Sequence, residues 1–73
     1  LTVRWKRLEF IIRKENNYTN IPLKNITIKP NNLIACIGRK RQIIIPNGED
    51  SLQVGDSVVV VTWKERFMIS QIF

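Results

Sequence analysis

The most constraining feature of the sequence is a set of three short apolar segments separated by strong turn signals. The segments are "LIACIG" (33–38), "IIIP" (43–46) and "VVVVTW" (58–63). Runs of four to six residues, rich in β-branched side chains and bounded by Gly, Pro and Asn, are typical of strands. All three are apolar at both parities, which predicts strands that are covered on both faces.

The turn residues between these segments predict how the strands are connected. Gly38-Arg39-Lys40-Arg41 lies between the first two segments and is predicted to be a hairpin connection. Asn47-Gly48 follows Pro46 and ends the second segment. Gly55-Asp56 is predicted to form a tight turn before the last strand, with the Asp56 carboxylate accepting hydrogen bonds from backbone N–H groups.

The flanking segments predict one more strand and two helices. Residues 4–15 alternate partly between apolar and polar, which favours a half-buried strand. Residues 21–27 are predicted to form a short helix, with Pro22 near its start and Asn20 as its cap. Residues 64–73 carry apolar side chains at helical spacing and predict a C-terminal amphipathic helix. The predicted fold class is therefore α+β, with a small, mostly antiparallel sheet.

Size and composition favour one domain that associates with a copy of itself. A chain of 73 residues supports only a small core. With one cysteine and no histidine, it has no internal disulfide and no zinc ligand set. We expect residues 1–6 to be a linker remnant of a longer protein and residues 7–73 to be the domain. No apolar run approaches the ~20 residues of a membrane span, which predicts a soluble chain, and Cys36 is expected to be a buried small hydrophobe in a reducing compartment.

The segment "NIPLKNITIKPNNLIACIGRKRQIIIPNGEDSLQVGDSVVVVT" (20–62) resembles a known family. It is similar to the TrkA-C (RCK-C) regulatory domain of Trk/Ktr-type potassium-transport systems, which has a short "PLKDL" helix followed by "LIAAIIR-GGxxIIPxGDTxLxxGDxVIVV". The resemblance extends over residues 7–73. Its hairpin reads "RKRQ" where the family pattern has two glycines, so this turn is more basic than in the family.

The resemblance implies a cytoplasmic regulatory domain that pairs as a homodimer and controls a potassium channel or transporter. Such domains follow a Rossmann-type RCK-N domain in the same protein and act on a membrane potassium-transporting subunit at the inner face of the plasma membrane. Its NAD or ATP would bind that preceding domain, because the three glycines of this chain do not form a GxGxxG fingerprint. No cofactor is expected in this chain itself, and cyclic di-AMP is a candidate ligand of the dimer.

The predicted ligand-binding residues are Arg39, Ile45, Pro46 and Asn47. Ile45 and Pro46 would support a purine, Asn47 would bond a base edge or a phosphate, and Arg39 would reach a phosphate, because guanidinium groups bind phosphate oxygens in a bidentate manner. Simpler roles are open for the same residues: a solvated hairpin tip for the cations, core packing for the isoleucines and turn chemistry for Asn47.

The charge of the chain leaves a second function open. A formal net charge of +6 favours anionic partners, and "RWKR" (4–7) and "GRKR" (38–41) are candidate contacts of a small basic β-rich nucleic-acid-binding module. We expect the potassium-system module and regard a nucleic acid as the less favoured partner, because no exposed aromatic stripe interleaves the cations. No catalytic constellation or metal-ligand cluster is apparent in the sequence, so no enzyme activity and no metal site are expected.

Overall fold

The structure, a computed structural model, describes residues 2–66, which form a four-stranded antiparallel sheet. The strands are β1 (Thr2–Ile11), β2 (Asn32–Arg39), β3 (Gln42–Ile44) and β4 (Ser57–Arg66). The only helical element in this part of the chain is a single 3-10 turn, Leu23–Asn25. The predicted α+β class is therefore wrong, and the described residues form an all-β fold. Residues 2–66 contain no helix that is long and apolar enough to cross a bilayer.

The strand order is β1-β4-β2-β3, so that β1 and β3 are the two edges. Strand β4 lies in the centre, with Leu8↔Val60 pairing on one side and Ile34↔Val60 on the other. The ladder between β2 and β4 shifts register between Ile34 and Cys36. This irregularity inserts Ala35 into β2, so that Ile34 and Ile37, three positions apart, both lie on the face of Val60 and Val58.

The core lies on one face of the sheet, hereafter the covered face. Ile37, Leu52 and Val58 are buried, and Leu52 comes from the segment that crosses this face. Five partly buried side chains pack against these three: Ile12, Leu23, Ile34, Ile44 and Val60. Ile12 and Leu23 also lie outside the strands, so the core depends on connecting segments as well as on the sheet.

The opposite face of the sheet, hereafter the open face, is not covered by any residue in the range 2–66. Cross-strand pairing places Trp5, Leu33 and Ile43 on this face, and these side chains are 69%, 55% and 73% exposed. Cys36 pairs with Val59 on the same face and is half-buried. The expectation that the strands are covered on both faces is therefore wrong for the described residues.

The predicted helix over residues 21–27 is reduced to the 3-10 turn. The N-cap residue of this turn is Pro22, which makes no side-chain capping bond. Asn20, the predicted cap, adopts a left-handed φ of 60°, and its backbone amide donates to the Leu52 carbonyl. The turn ends at Ile26, which is already extended. The first backbone amides of this turn donate to carbonyls of a neighbouring loop. They therefore have hydrogen-bond partners although the helix is only one turn long.

The predicted C-terminal helix over residues 64–73 is wrong at its start. Residues 64–66 belong to β4 and pair with residues 2–4 of β1. The remainder of the predicted helix, residues 67–73, lies outside the described residues. Residues 2–6, predicted to be a linker remnant, form the first half of β1.

The hairpin between β2 and β3 has a two-residue loop, Lys40-Arg41. Arg39 pairs with Gln42, and Lys40 and Arg41 both have left-handed φ values, of 49° and 65°. Two consecutive left-handed residues define a type I′ turn, which normally carries Asn-Gly. A non-glycine residue in this region costs roughly 1–2 kcal/mol, so the cationic loop is stabilised by the fold around it.

The double substitution Lys40→Asn with Arg41→Gly should stabilise the protein by about 1 kcal/mol. Asn and Gly adopt left-handed φ values with less strain, and this gain exceeds the loss from the greater conformational entropy of glycine in the unfolded chain. Urea unfolding should show a midpoint that rises by roughly 1 M. The matched control, Lys40→Gln with Arg41→Gln, removes the same two charges but keeps both β-carbons, and it should not reproduce the gain. An equal gain in the control would assign the effect to charge and would refute the strain argument.

Candidate functional site

Four short segments of the chain meet beside the end of β2, and we call them the turn cluster. It consists of residues 22–24, residues 46–51, residues 53–56 and Arg39. Pro22 forms a backbone bridge with Ser51. The amide of Leu23 donates to the Asp50 carbonyl (2.8 Å), and the amide of Lys24 donates to the Gly48 carbonyl (3.0 Å). Backbone hydrogen bonds therefore fix the loops of the turn cluster against each other.

A bidentate ion pair between Arg39 and Asp56 joins the sheet to these loops. Arg39 Nε donates to Asp56 Oδ1 (2.9 Å), and Arg39 Nη2 donates to Asp56 Oδ2 (2.7 Å). Nη2 also donates to the Ser51 carbonyl (2.7 Å). Asp56 is buried and accepts a further bond from the Gln53 amide (2.9 Å), which confirms the predicted closure of its turn. The Asp56 carboxylate thus accepts hydrogen bonds both from the end of β2 and from the loop before β4.

The electrostatics of this pair favour the ionised forms of both groups. The hydrogen bonds from Arg39 lower the pKa of Asp56, and they outweigh the effect of burial, which by itself would raise it. The hydrogen bond to Asp56 likewise raises the pKa of Arg39 against the effect of burial. Both groups are therefore charged at neutral pH, and the stability that the pair contributes should be lost in acid.

The loop after β3 is held by its own polar side chains. Asn47 Oδ1 accepts from the Glu49 amide (2.8 Å), and Asp50 Oδ2 accepts from the Asn47 amide (2.8 Å). The first bond confirms turn chemistry at Asn47, and the second shows that the Asp50 carboxylate caps the same turn. Lys24 Nζ lies 2.7 Å from Glu49 Oε1 in an exposed salt bridge, which contributes at most about 1 kcal/mol.

The predicted ligand residues fall into two groups in the structure. Ile45, Pro46 and Asn47 are consecutive on leaving β3, and Ile45 is 75% exposed while Pro46 is half-buried. Arg39 lies on the neighbouring strand, but its guanidinium is turned towards Asp56 and is 22% exposed. The apolar residues are therefore free to contact a ligand, whereas any phosphate contact by Arg39 has to leave its bonds to Asp56 intact.

The role of Asp56 as the partner of Arg39 was missed by the sequence predictions. The two residues are 17 positions apart, and no local pattern joins them. The available signal was an arginine at the end of one apolar strand and an aspartate just before another, because buried charges are paired. Arg39 was instead grouped with Lys40 and Arg41, which are exposed in the loop.

Comparison of the chain with protein-family models, with curated proteins and with solved structures finds no match. The resemblance to the regulatory domain of potassium-transport systems therefore remains a prediction from the sequence.

Acid should destabilise the protein through Asp56. The pKa of Asp56 is lower in the folded than in the unfolded chain. Between these two pKa values the unfolded state therefore binds more protons than the folded state. The stability from the pair is complete above the ordinary aspartate pKa of about 3.9 and is lost as the pH falls through the lower folded value. Urea unfolding between pH 2.5 and 7 should show this decline.

The matched control is the double variant Asp56→Asn with Arg39→Met. Asn keeps an acceptor for the Gln53 amide, and Met leaves no cation without its carboxylate. This variant should lose less stability than the parent between pH 5 and 2.5. Parallel declines in the two proteins would show that Asp56 contributes no pH-dependent stability.

Proposed function

We propose that this chain is a regulatory module of a potassium-transport system, in which it works as a homodimer and binds a small anionic ligand. The observation that supports the proposal most is the convergence of its sequence motifs. Four parts of the resembling segment lie together in the turn cluster: residues 22–24, Arg39, residues 46–48 and residues 55–56. Its other motif residues, among them 33–35 and 57–61, lie in β2 and β4.

The outer edge of β1 is the surface that we propose for dimerisation. The N–H and C=O groups of Ile12 bond to the Asp56 carbonyl and the Gly55 amide, both at 2.8 Å, on the β4 side. Since backbone groups alternate along a strand, those of Arg7 and Glu9 are directed away from β4. A ten-residue edge of this kind accepts another strand, and a second copy provides one with the same pattern.

The charges along β1 select one register for this pairing. If two antiparallel copies meet with Leu8 on the two-fold axis, Arg7 of each copy lies opposite Glu9 of the other. Both residues belong to the open face, so two symmetric ion pairs form across the new interface. Other registers of the same strand place cations opposite cations or leave Glu9 without a cation.

Ligand binding is proposed at Ile45, Pro46 and Asn47, with Arg39 contributing to the phosphate side. Cyclic di-AMP is the candidate ligand because it combines purine faces with phosphates. The exposed Ile45 side chain supports contact with a purine, and the proline ring next to it has a fixed shape. The ligand would favour one arrangement of the dimer, and that population shift would bias the transporter.

The remaining partners belong to the same proposal. A preceding RCK-N domain in the same protein would bind NAD or ATP, and a membrane potassium-transporting subunit would receive the signal. The module would thus be cytoplasmic and held at the inner face of the plasma membrane through that subunit. No catalytic role is proposed for this chain.

Reversing one charge on β1 should weaken the dimer. Arg7→Glu or Glu9→Arg turns two attractive contacts into two repulsive ones, which corresponds to about 1–2 kcal/mol and roughly a tenfold higher dimer dissociation constant. The double variant Arg7→Glu with Glu9→Arg should restore it. Sedimentation equilibrium measures the constant, and circular dichroism verifies the fold of each variant. A monomeric parent chain, or a double variant as weak as the single ones, would refute β1 pairing.

Isothermal titration of the parent chain with cyclic di-AMP should give a saturable heat, and Ile45→Ala should weaken binding about tenfold through the lost apolar contact. Leu33→Ala is the control, because Leu33 is also an exposed apolar residue but lies on β2 away from the turn cluster. Absence of heat, or equal effects of the two substitutions, would refute the ligand site while leaving the dimer experiment valid.

A further inference from the structure

The sheet narrows to a two-stranded ribbon at one end. Strand β2 begins opposite Thr62, and the Trp63 amide still donates to the Asn31 carbonyl (3.1 Å), so only residues 64–66 of β4 pair with residues 2–4 of β1 alone. The resulting ribbon accounts for part of the elongated shape of the molecule, 50 × 24 × 19 Å. A hollow of about 280 Å³ lies at this end and is lined by six residues: Arg4, Trp5, Lys6, Thr62, Trp63 and Lys64. These six residues are called the ribbon site.

Two tryptophans form a direct cross-strand pair in the ribbon site. Trp5 lies opposite Trp63, and both belong to the open face. Trp5 is 69% exposed, although indole is among the side chains that gain most from burial. Trp5 therefore offers an exposed aromatic face for stacking, and Trp63, which is half-buried, lies beside it.

Three cations occupy the other face of the same ribbon. Arg4 lies directly opposite Lys64, and Lys6 is two residues along from Arg4, so all three share one face. Like charges at directly opposed positions are unfavourable in an antiparallel pair. No salt bridge involves these three side chains among the residues whose side chains are described. An anion would relieve this repulsion.

We propose that the ribbon site binds single-stranded nucleic acid. Unpaired bases would stack on Trp5 and Trp63, and the phosphates would contact Arg4, Lys6 and Lys64. Stacking platforms combined with basic grooves are the usual means by which proteins bind single strands without sequence preference. Trp5 is one exposed aromatic side chain between the cations Arg4 and Lys6, and this weakens the objection that no aromatic stripe interleaves the cations.

The arrangement favours a flexible polyanion over a membrane surface. The tryptophans and the cations lie on opposite faces of the ribbon, so a flat layer of lipid headgroups contacts one set and not the other. A single strand has bases and phosphates on different sides and bends around the end of the ribbon, which is two strands wide at Arg4 and Lys64. Long lysine and arginine side chains also reach past the edge formed by residues 64–66 of β4, which stays free when β1 pairs with a second copy.

The test uses the 73-residue chain and a fluorescein-labelled dT12 oligonucleotide in anisotropy titrations at 50–200 mM NaCl. The parent should bind with a slope of log K against log salt near −2, which is three phosphates at about −0.7 each, and tryptophan emission should be quenched by stacking. Trp5→Ala should weaken binding 5- to 100-fold, and Trp5→Phe should retain most of the affinity. Arg4→Gln should lower the slope by about 0.7.

Controls separate the ribbon site from general charge. Lys14→Gln removes one exposed cation elsewhere and should leave the tryptophan quenching unchanged and the affinity within twofold. Equal losses for Lys14→Gln and Arg4→Gln, equal affinity for duplex DNA of the same length, or binding to phosphatidylserine vesicles without binding to dT12 would each overturn the proposal. Because β1 pairing is tested with Arg7 and Glu9, failure here leaves the proposed function intact.

Discussion

The ion pair between Arg39 and Asp56 is the interaction on which the other parts of the structure depend. It joins the end of β2 to the turn before β4, and through Ser51 it reaches the loop that follows β3. The core of three buried apolar side chains is too small to hold these loops by hydrophobic contact alone. Buried charges require partners, so the pair also disfavours alternative packings in which either group is left without the other.

A sheet that is covered on one face only leaves much of its surface available for contacts. Residues 12–31 and 45–56 supply the connections on the covered face, and within the described residues the open face carries Trp5, Leu33 and Ile43 in contact with solvent. An exposed apolar surface of this kind marks a face that can take part in an interaction. The proposed pairing through β1 occupies the edge of that strand, including residues 4–6, whereas the ribbon site uses the two faces of the ribbon and the edge formed by residues 64–66 of β4.

The proposed ligand site and the ribbon site differ in how far apart their residues lie in the sequence. Ile45, Pro46 and Asn47 are contiguous, and their candidacy came from a motif. The ribbon site combines residues about 60 positions apart, because β1 and β4 lie at opposite ends of the sequence and pair over ten residues. Contiguous turn residues are accessible to sequence reasoning, while a cross-strand pair becomes visible only when the register is known.

The sequence by itself determined the positions of the turns and of the strands between them, because Pro46, Asn47-Gly48 and Gly55-Asp56 act through local backbone preferences that need no tertiary context. It also determined the turn chemistry of Asn47 and the closure of the last turn by Asp56. Tertiary structure decided what long-range contacts control: the partner of Arg39, the reduction of the predicted helix to a 3-10 turn, and the exposure of one sheet face. The sequence of a short apolar segment shows that the segment can be buried, but which residues cover it depends on the fold of the whole chain.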